Sequence, residues 1–191
     1  MATSNYAISQ YTSEEFVESS GAILFDLSSK MRKVCLIHYI AKDEWLLAKG
    51  RRNCGESRHE AALREVREET GYSCHLHPVT MSTRAPPMVE EGFVADEPRT
   101  FSSLTEPFML TIRKLDGKSN VKLIWWYIAT LDNDSASDRS NGEAGFKAEF
   151  FSWDEALERL NFEDDRRVLG RAVELMENSW RERDVSTDLT C

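Results

Sequence analysis

Short apolar runs bounded by turn residues predict strands over residues 22–26 and 33–39, with a shorter one over 45–48. Between residues 57 and 70 the period changes. Ala61, Ala62, Leu63 and Val66 recur at helical spacing among strong helix formers, with no glycine or proline intervening. Both ends of this helix are marked. Ser57 with Glu60 three residues later has the form of a capping box, and Gly71 stands where a left-handed C-cap favours glycine. Residues 72–79 read as a further strand. A hairpin is expected from residues 107–115 and 121–131 around Asp116-Gly117, then a strand over 146–152 and helices beginning near Asp154 and Asp164. Two polar stretches, 84–106 with Pro86, Pro87 and Pro98, and 133–145, read as surface loops.

Composition narrows the class. The 191 residues, 41% hydrophobic and 30% charged, suit one globular domain with a sizeable core, an N-terminal arm to about residue 18 and a C-terminal tail from about 183. No basic leader or apolar run of membrane-spanning length is present, so a soluble intracellular protein, cytoplasmic or nuclear, is expected. Cys35, Cys54, Cys74 and Cys191 share no metal-ligand spacing and read as free thiols. A net charge of -9 argues against general nucleic-acid or anionic-membrane binding, but the charge is uneven. Residues 42–84 carry eight Lys or Arg against seven Asp or Glu, whereas residues 132–191 carry eight against sixteen.

The chemistry concentrates in the less acidic part. Glu65, Glu68 and Glu69 stand at i, i+3 and i+4 on the helix, so three carboxylates share one face. Like charges at this spacing each cost a helix roughly 0.2–0.5 kcal/mol, a cost a bound cation removes. With no His or Cys at ligand spacing, an all-oxygen set suits magnesium or manganese. A solvated charged face is the plainer explanation of clustered glutamates. The loop ahead shifts the balance, because Lys49, Arg51 and Arg52 with two glycines form a cationic turn leading into a helix N-terminus, a place for phosphate beside metal.

From Gly50 to Tyr72 the chain reads GRRNCGESRHEAALREVREETGY, which is G-x5-E-x7-R-E-U-x-E-E-x-G-U with U bulky and apolar. This resembles the signature of the Nudix hydrolases, with every charged and glycine position filled and Tyr72 where an aliphatic residue is usual. The resemblance implies an α/β/α sandwich around a mixed sheet and hydrolysis of a phosphoanhydride by metal-activated water. It implies that Glu65, Glu68 and Glu69 hold divalent ions, that Glu65 is the base, that Glu56 supports the metal shell or the loop, and that Arg64 orients a glutamate. An acidic residue outside the box completes many such sites; Glu143 is the nearest match and Glu149 the next.

Lys49, Gly50, Arg51 and Arg52 are the candidate substrate-binding positions. They resemble those of family members acting on diphosphoinositol or diadenosine polyphosphates, although Ala48 replaces the usual proline and Arg51-Arg52-Asn53 replaces a glycine-rich turn. Arg84, Lys114 and Lys122 lie outside the box and within possible reach of a distant phosphate. Other small-molecule substrates compatible with the resemblance are sugar nucleotides, oxidised nucleotides and isoprenoid diphosphates. Two readings of another kind stay open: a noncatalytic diphosphate sensor, against which the intact glutamate set argues, and a structural partner-binding module. In the Trp125-Trp126 pair, strand alternation lets at most one side chain line a site.

Overall fold

The computed structural model describes residues 6–28, 32–89, 92–114, 120–132 and 142–188, with side chains described as far as residue 181. Its centre is a parallel pair, β1 (Phe16–Asp26) and β9 (Val121–Leu131), in register from Phe16↔Val121 to Phe25↔Thr130. Both strands are covered on both faces, which is why β9 and the second half of β1 run nearly continuously apolar instead of alternating. Ile23, Phe25, Ile124, Trp126 and Ile128 point to one cluster; Ala22, Leu24, Tyr127 and Ala129 point to the other.

Around this pair the sheet continues in the order β10-β2-β1-β9-β5. The outer strands are β2 (Lys33–Tyr39), β5 (Cys74–Leu76) and β10 (Phe146–Ser152). Three more attach to it: β3 (Glu44–Leu46) to β2, β4 (Lys49–Arg51) to β1, and β8 (Met109–Lys114) to β9. Apart from β1 with β9, these pairings are antiparallel, so the sheet is mixed.

Helix α1 (Arg58–Thr70) covers one face through Ala62 and Val66. The other face is covered by α2 (Trp153–Arg159) and α3 (Glu163–Asp188), through Ala156, Val168, Leu169, Ala172, Leu175 and Met176. The α/β/α sandwich is therefore present. Trp126 and Phe25 are fully buried at its centre, each worth about 1.5–3 kcal/mol by burial of apolar surface.

Several expected boundaries shift. β1 begins at Phe16, inside the expected N-terminal arm; its first half carries Glu18, Ser19 and Ser20, polar residues that β4 and the box cover. The expected 72–79 strand breaks at Pro78, which lacks the N–H a ladder needs, and resumes as β6 (Val79–Thr83). β6 pairs with β7 (Arg99–Leu104) in a separate two-stranded sheet, so residues 99–104 of the expected 84–106 loop are strand. The half-exposed RTFSSL sequence of β7 gives little strand signal. α3 continues to Asp188, through most of the expected tail. β8 and β9 form the expected hairpin, Lys114 opposite Val121, while its Asp116-Gly117 turn, residues 133–141 of the second loop and Cys191 lie outside the described residues. Among the described residues, Cys35, Cys54 and Cys74 form no disulfide.

Candidate active site

α1 starts and stops where its sequence indicates. The Ser57 side chain caps the Glu60 amide while the Glu60 carboxylate accepts from the Ser57 amide at 2.8 Å, and Gly71 closes the helix at φ 79°. This fixes which face the glutamates present. Glu65 leans on Gly50, so closely that a Cβ there would overlap its carboxylate. Glu69 reaches the same strand one residue earlier, accepting the backbone N–H of Lys49 at 2.8 Å. Glu68 is more exposed and points to solvent.

Arg64 organises the set. Its Nε donates to Glu56 at 2.7 Å, one terminal nitrogen donates to Glu65 and Glu68 at 2.7 and 2.8 Å, and the other reaches Glu56 and the Arg51 carbonyl at 3.0 and 2.9 Å. The planar fork of arginine makes this many-sided grip possible. Hydrogen bonding to Arg64 lowers the Glu56 pKa. Glu65 moves the other way, because burial outweighs the pull of Arg64. Glu69 is pushed up to about 7, chiefly by burial, with the Lys49 amide and charge opposing and Glu65 and Glu143 adding to the rise.

The loop before α1 is anchored by a residue outside the box that sequence reading missed. Glu18 on β1 accepts from Arg52 at 3.0 Å, from Arg58 at 2.7 and 2.9 Å and from the Trp125 indole at 3.1 Å. Burial opposes ionisation of Glu18, yet these bonds and the two arginine charges hold its pKa below the usual value. Arg52 also donates to the Glu56 carbonyl at 2.8 Å. A continuous chain thus runs from Glu18 through Arg52 and Glu56 to Arg64 and the helix glutamates. Only the pairing of distant strands brings Glu18 there, which no local pattern signals.

The remaining candidates separate. Glu143 donates its backbone N–H to the Glu68 carbonyl at 2.7 Å, placing it beside the box. Glu149 alternates with Ala148 and Phe150, which pack on the α1 side of β10, and so faces away. Arg84 is committed to Asp96 at 3.0 Å, both side chains exposed. Trp126 is core, its indole bonded to Thr111 at 3.0 Å, and Trp125 lies under Arg58, 4.1 Å from ring centroid to guanidinium.

Among the described residues, no three acidic, histidine or cysteine side chains stand close enough together to grip an ion. Glu65 and Glu68 are drawn to Arg64, and Glu69 to the Lys49 amide. The donor chemistry nevertheless fits a hard divalent cation: carboxylate oxygens on one helix face, two of them with proton affinity raised chiefly by burial.

Comparisons with known proteins bear on the family and the fold. A family model described as NUDIX domain matches residues 17–172. The chain is 26% identical over 170 residues to an 8-oxo-(d)GTP phosphatase of Mycolicibacterium smegmatis, covering 84% of this chain and 42% of that protein, so it spans less than half of that relative's length. Among solved structures it resembles an Ap4A hydrolase of C. elegans, with TM-score 0.52 and 14% identity over 84% of this chain and 98% of the other. A NUDIX hydrolase from Nitrosomonas europaea matches with TM-score 0.52 and 16% identity over 81% and 86%. At such identities the structural likeness speaks to the fold.

Proposed function

The chain belongs to the Nudix family of phosphoanhydride hydrolases, and from that premise we propose that it cleaves a densely charged diphosphate compound, a diphosphoinositol polyphosphate or a diadenosine or nucleoside polyphosphate. This reading takes residues 1–191 as one hydrolase domain. Glu65, Glu68 and Glu69, joined by Glu143, would hold magnesium or manganese. Bound divalent ions would neutralise phosphate charge and lower the pKa of the attacking water. Glu65, with proton affinity raised by burial, is suited to take that water's proton. Arg64 orients Glu65 and Glu68, and Glu56 holds Arg64 in turn. Lys49 and Arg51 face the substrate phosphates, while Arg52 serves the site through its bonds to Glu18 and the Glu56 carbonyl.

The observation that carries the reading is the seam between α1 and β4. Glu65 lies on Gly50 and Glu69 on the Lys49 amide, so carboxylates able to hold cations adjoin the basic strand β4, and the charge of Lys49 acts on Glu69. A metal-bound polyphosphate requires both. The similarity to an 8-oxo-(d)GTP phosphatase favours a second reading within the same chemistry, an oxidised nucleoside triphosphate.

A panel test separates these. The protein is incubated with magnesium and, in turn, a diphosphoinositol polyphosphate, diadenosine tetraphosphate, 8-oxo-dGTP, a sugar nucleotide and an isoprenoid diphosphate, and released phosphate or nucleotide is measured. Turnover is expected for one of the first three and only with divalent metal. Preference for either of the last two would overturn the substrate proposal, and no turnover on any would favour a binding role.

A further inference from the structure

Strand register gathers four cations on one face of the sheet. Arg51 lies opposite Ser19, Ser19 opposite Ile124, and Ile124 opposite Thr111; residues paired this way point to the same side. Two residues along β4 is Lys49, and two residues along β9 and β8 are Lys122 and Arg113, all on that same side. Contact of the Lys49 Cβ position and Trp126 with the space over Gly21 agrees with this assignment. This is the face opposite α1, so the four form a set distinct from the helix glutamates. Lys49 connects the two, since its amide holds Glu69.

The set is electrostatically incomplete. Arg113 and Lys122 are direct cross-strand partners, an arrangement of like charges that destabilises a ladder. Arg113 has one acidic neighbour, Asp165 at the start of α3, 3.8 Å away with its side chain 3% exposed. Lys122 has no ion-pair partner within 4 Å among the described residues, and burial followed by the charges of Lys49, Arg113 and Arg51 lowers its pKa. On the same face the fully buried Ser19 hydroxyl has no hydrogen-bond partner among the described residues. The four cations face Asp165 beside Arg113, the charge of Glu69 on Lys49 and that of Glu65 on Lys122, an excess of positive charge that a polyanion corrects.

Resting on the hydrolase reading above, we propose that Lys49, Arg51, Arg113 and Lys122 form a second phosphate seat, which holds the uncleaved phosphates of a substrate with at least three consecutive phosphate groups. β1 separates β4 from β9 and β8 lies beyond β9, so across the sheet Lys122 is about 10 Å and Arg113 about 14 Å of strand spacing from Gly50. That interval exceeds a single diphosphate engaged beside Glu65. The seat therefore selects for chain length, whatever organic group the phosphates carry, and Asp165 is a positioning residue that steadies Arg113 beneath it.

The test reads binding without catalysis. Inorganic tripolyphosphate and pyrophosphate are titrated calorimetrically, in EDTA, into the full chain and its Lys122→Gln, Arg113→Gln and Lys122→Arg variants. The wild-type chain should bind tripolyphosphate more tightly than pyrophosphate. Each Gln variant should weaken tripolyphosphate about tenfold, the effect of losing one charged contact, with pyrophosphate changed less than twofold and Lys122→Arg near wild type. Equal affinity of the wild type for both ligands, or equal weakening of both by the variants, would overturn the proposal. Because hydrolysis is not measured, an inactive protein that passes this test would sink the enzyme reading alone, and an active one that fails it would sink only the second seat.

Discussion

The carboxylate of Glu69 accepts the backbone N–H of Lys49 at 2.8 Å, tying the acidic helix to the basic strand through one half-buried bond. Burial is the larger influence on Glu69, and its pKa rises to about 7 in the folded chain against an ordinary 4.5.

The sign of the resulting pH dependence follows from that rise. A carboxyl whose folded pKa exceeds its unfolded value costs nothing below pH 4.5, where both states are protonated. Its cost grows between pH 4.5 and 7 and levels off above, at on the order of 3 kcal/mol. Metal-free Glu69→Gln should therefore match the wild type near pH 4 and melt at higher temperature by pH 8. Parallel melting curves in EDTA across that range would contradict the burial account.

Arg64 ties Glu56, Glu65, Glu68 and the Arg51 carbonyl together, so its loss should disorder the carboxylates more than the fold. Arg64→Lys keeps the charge but not the fork. We expect turnover to fall about 10 to 100-fold in Arg64→Lys with little change in melting temperature. Near wild-type turnover would show that charge alone suffices.

Gly50 and Gly55 offer a matched comparison. A Cβ at Gly50 would overlap the Glu65 carboxylate, whereas Gly55, at φ 80°, has open space around it. Gly50→Ala should lose activity by displacing Glu65. Gly55→Ala should cost about 1–2 kcal/mol of backbone strain and leave turnover intact. Turnover measured beside urea melts checks both.

The cysteines should differ in reactivity. Cys54 is exposed, and Cys74 is pushed up to about 12 by burial, with Asp132 adding to it. A thiolate-selective reagent at pH 8 should label Cys54 and spare Cys74 in the native protein. Equal labelling would mean that β5 opens readily.

Much of this was legible in the chain because the information is local. The Ser57–Glu60 box and the Gly71 cap lie within the helix they define, and the spacing of Arg64, Glu65, Glu68 and Glu69 fixes their shared face. β2 and β10 match their expected bounds, β2 as a short apolar run and β10 as an alternation of apolar residues with Lys147 and Glu149. What escaped depends on long-range pairing. The polar start of β1 becomes strand because β4 and β9 pair with it; β7 becomes strand because β6 does. Glu18, Arg113 and Asp165 enter the picture only through partners on elements far away in sequence.

The central claim is that the α1 carboxylates serve divalent metal in anhydride cleavage, and substitution of Glu68 and of Glu69 by Gln, assayed for magnesium-dependent turnover of the best substrate, tests it most directly. The account predicts turnover reduced at least 100-fold in each variant, with circular dichroism unchanged. Wild-type turnover in both folded variants would contradict it.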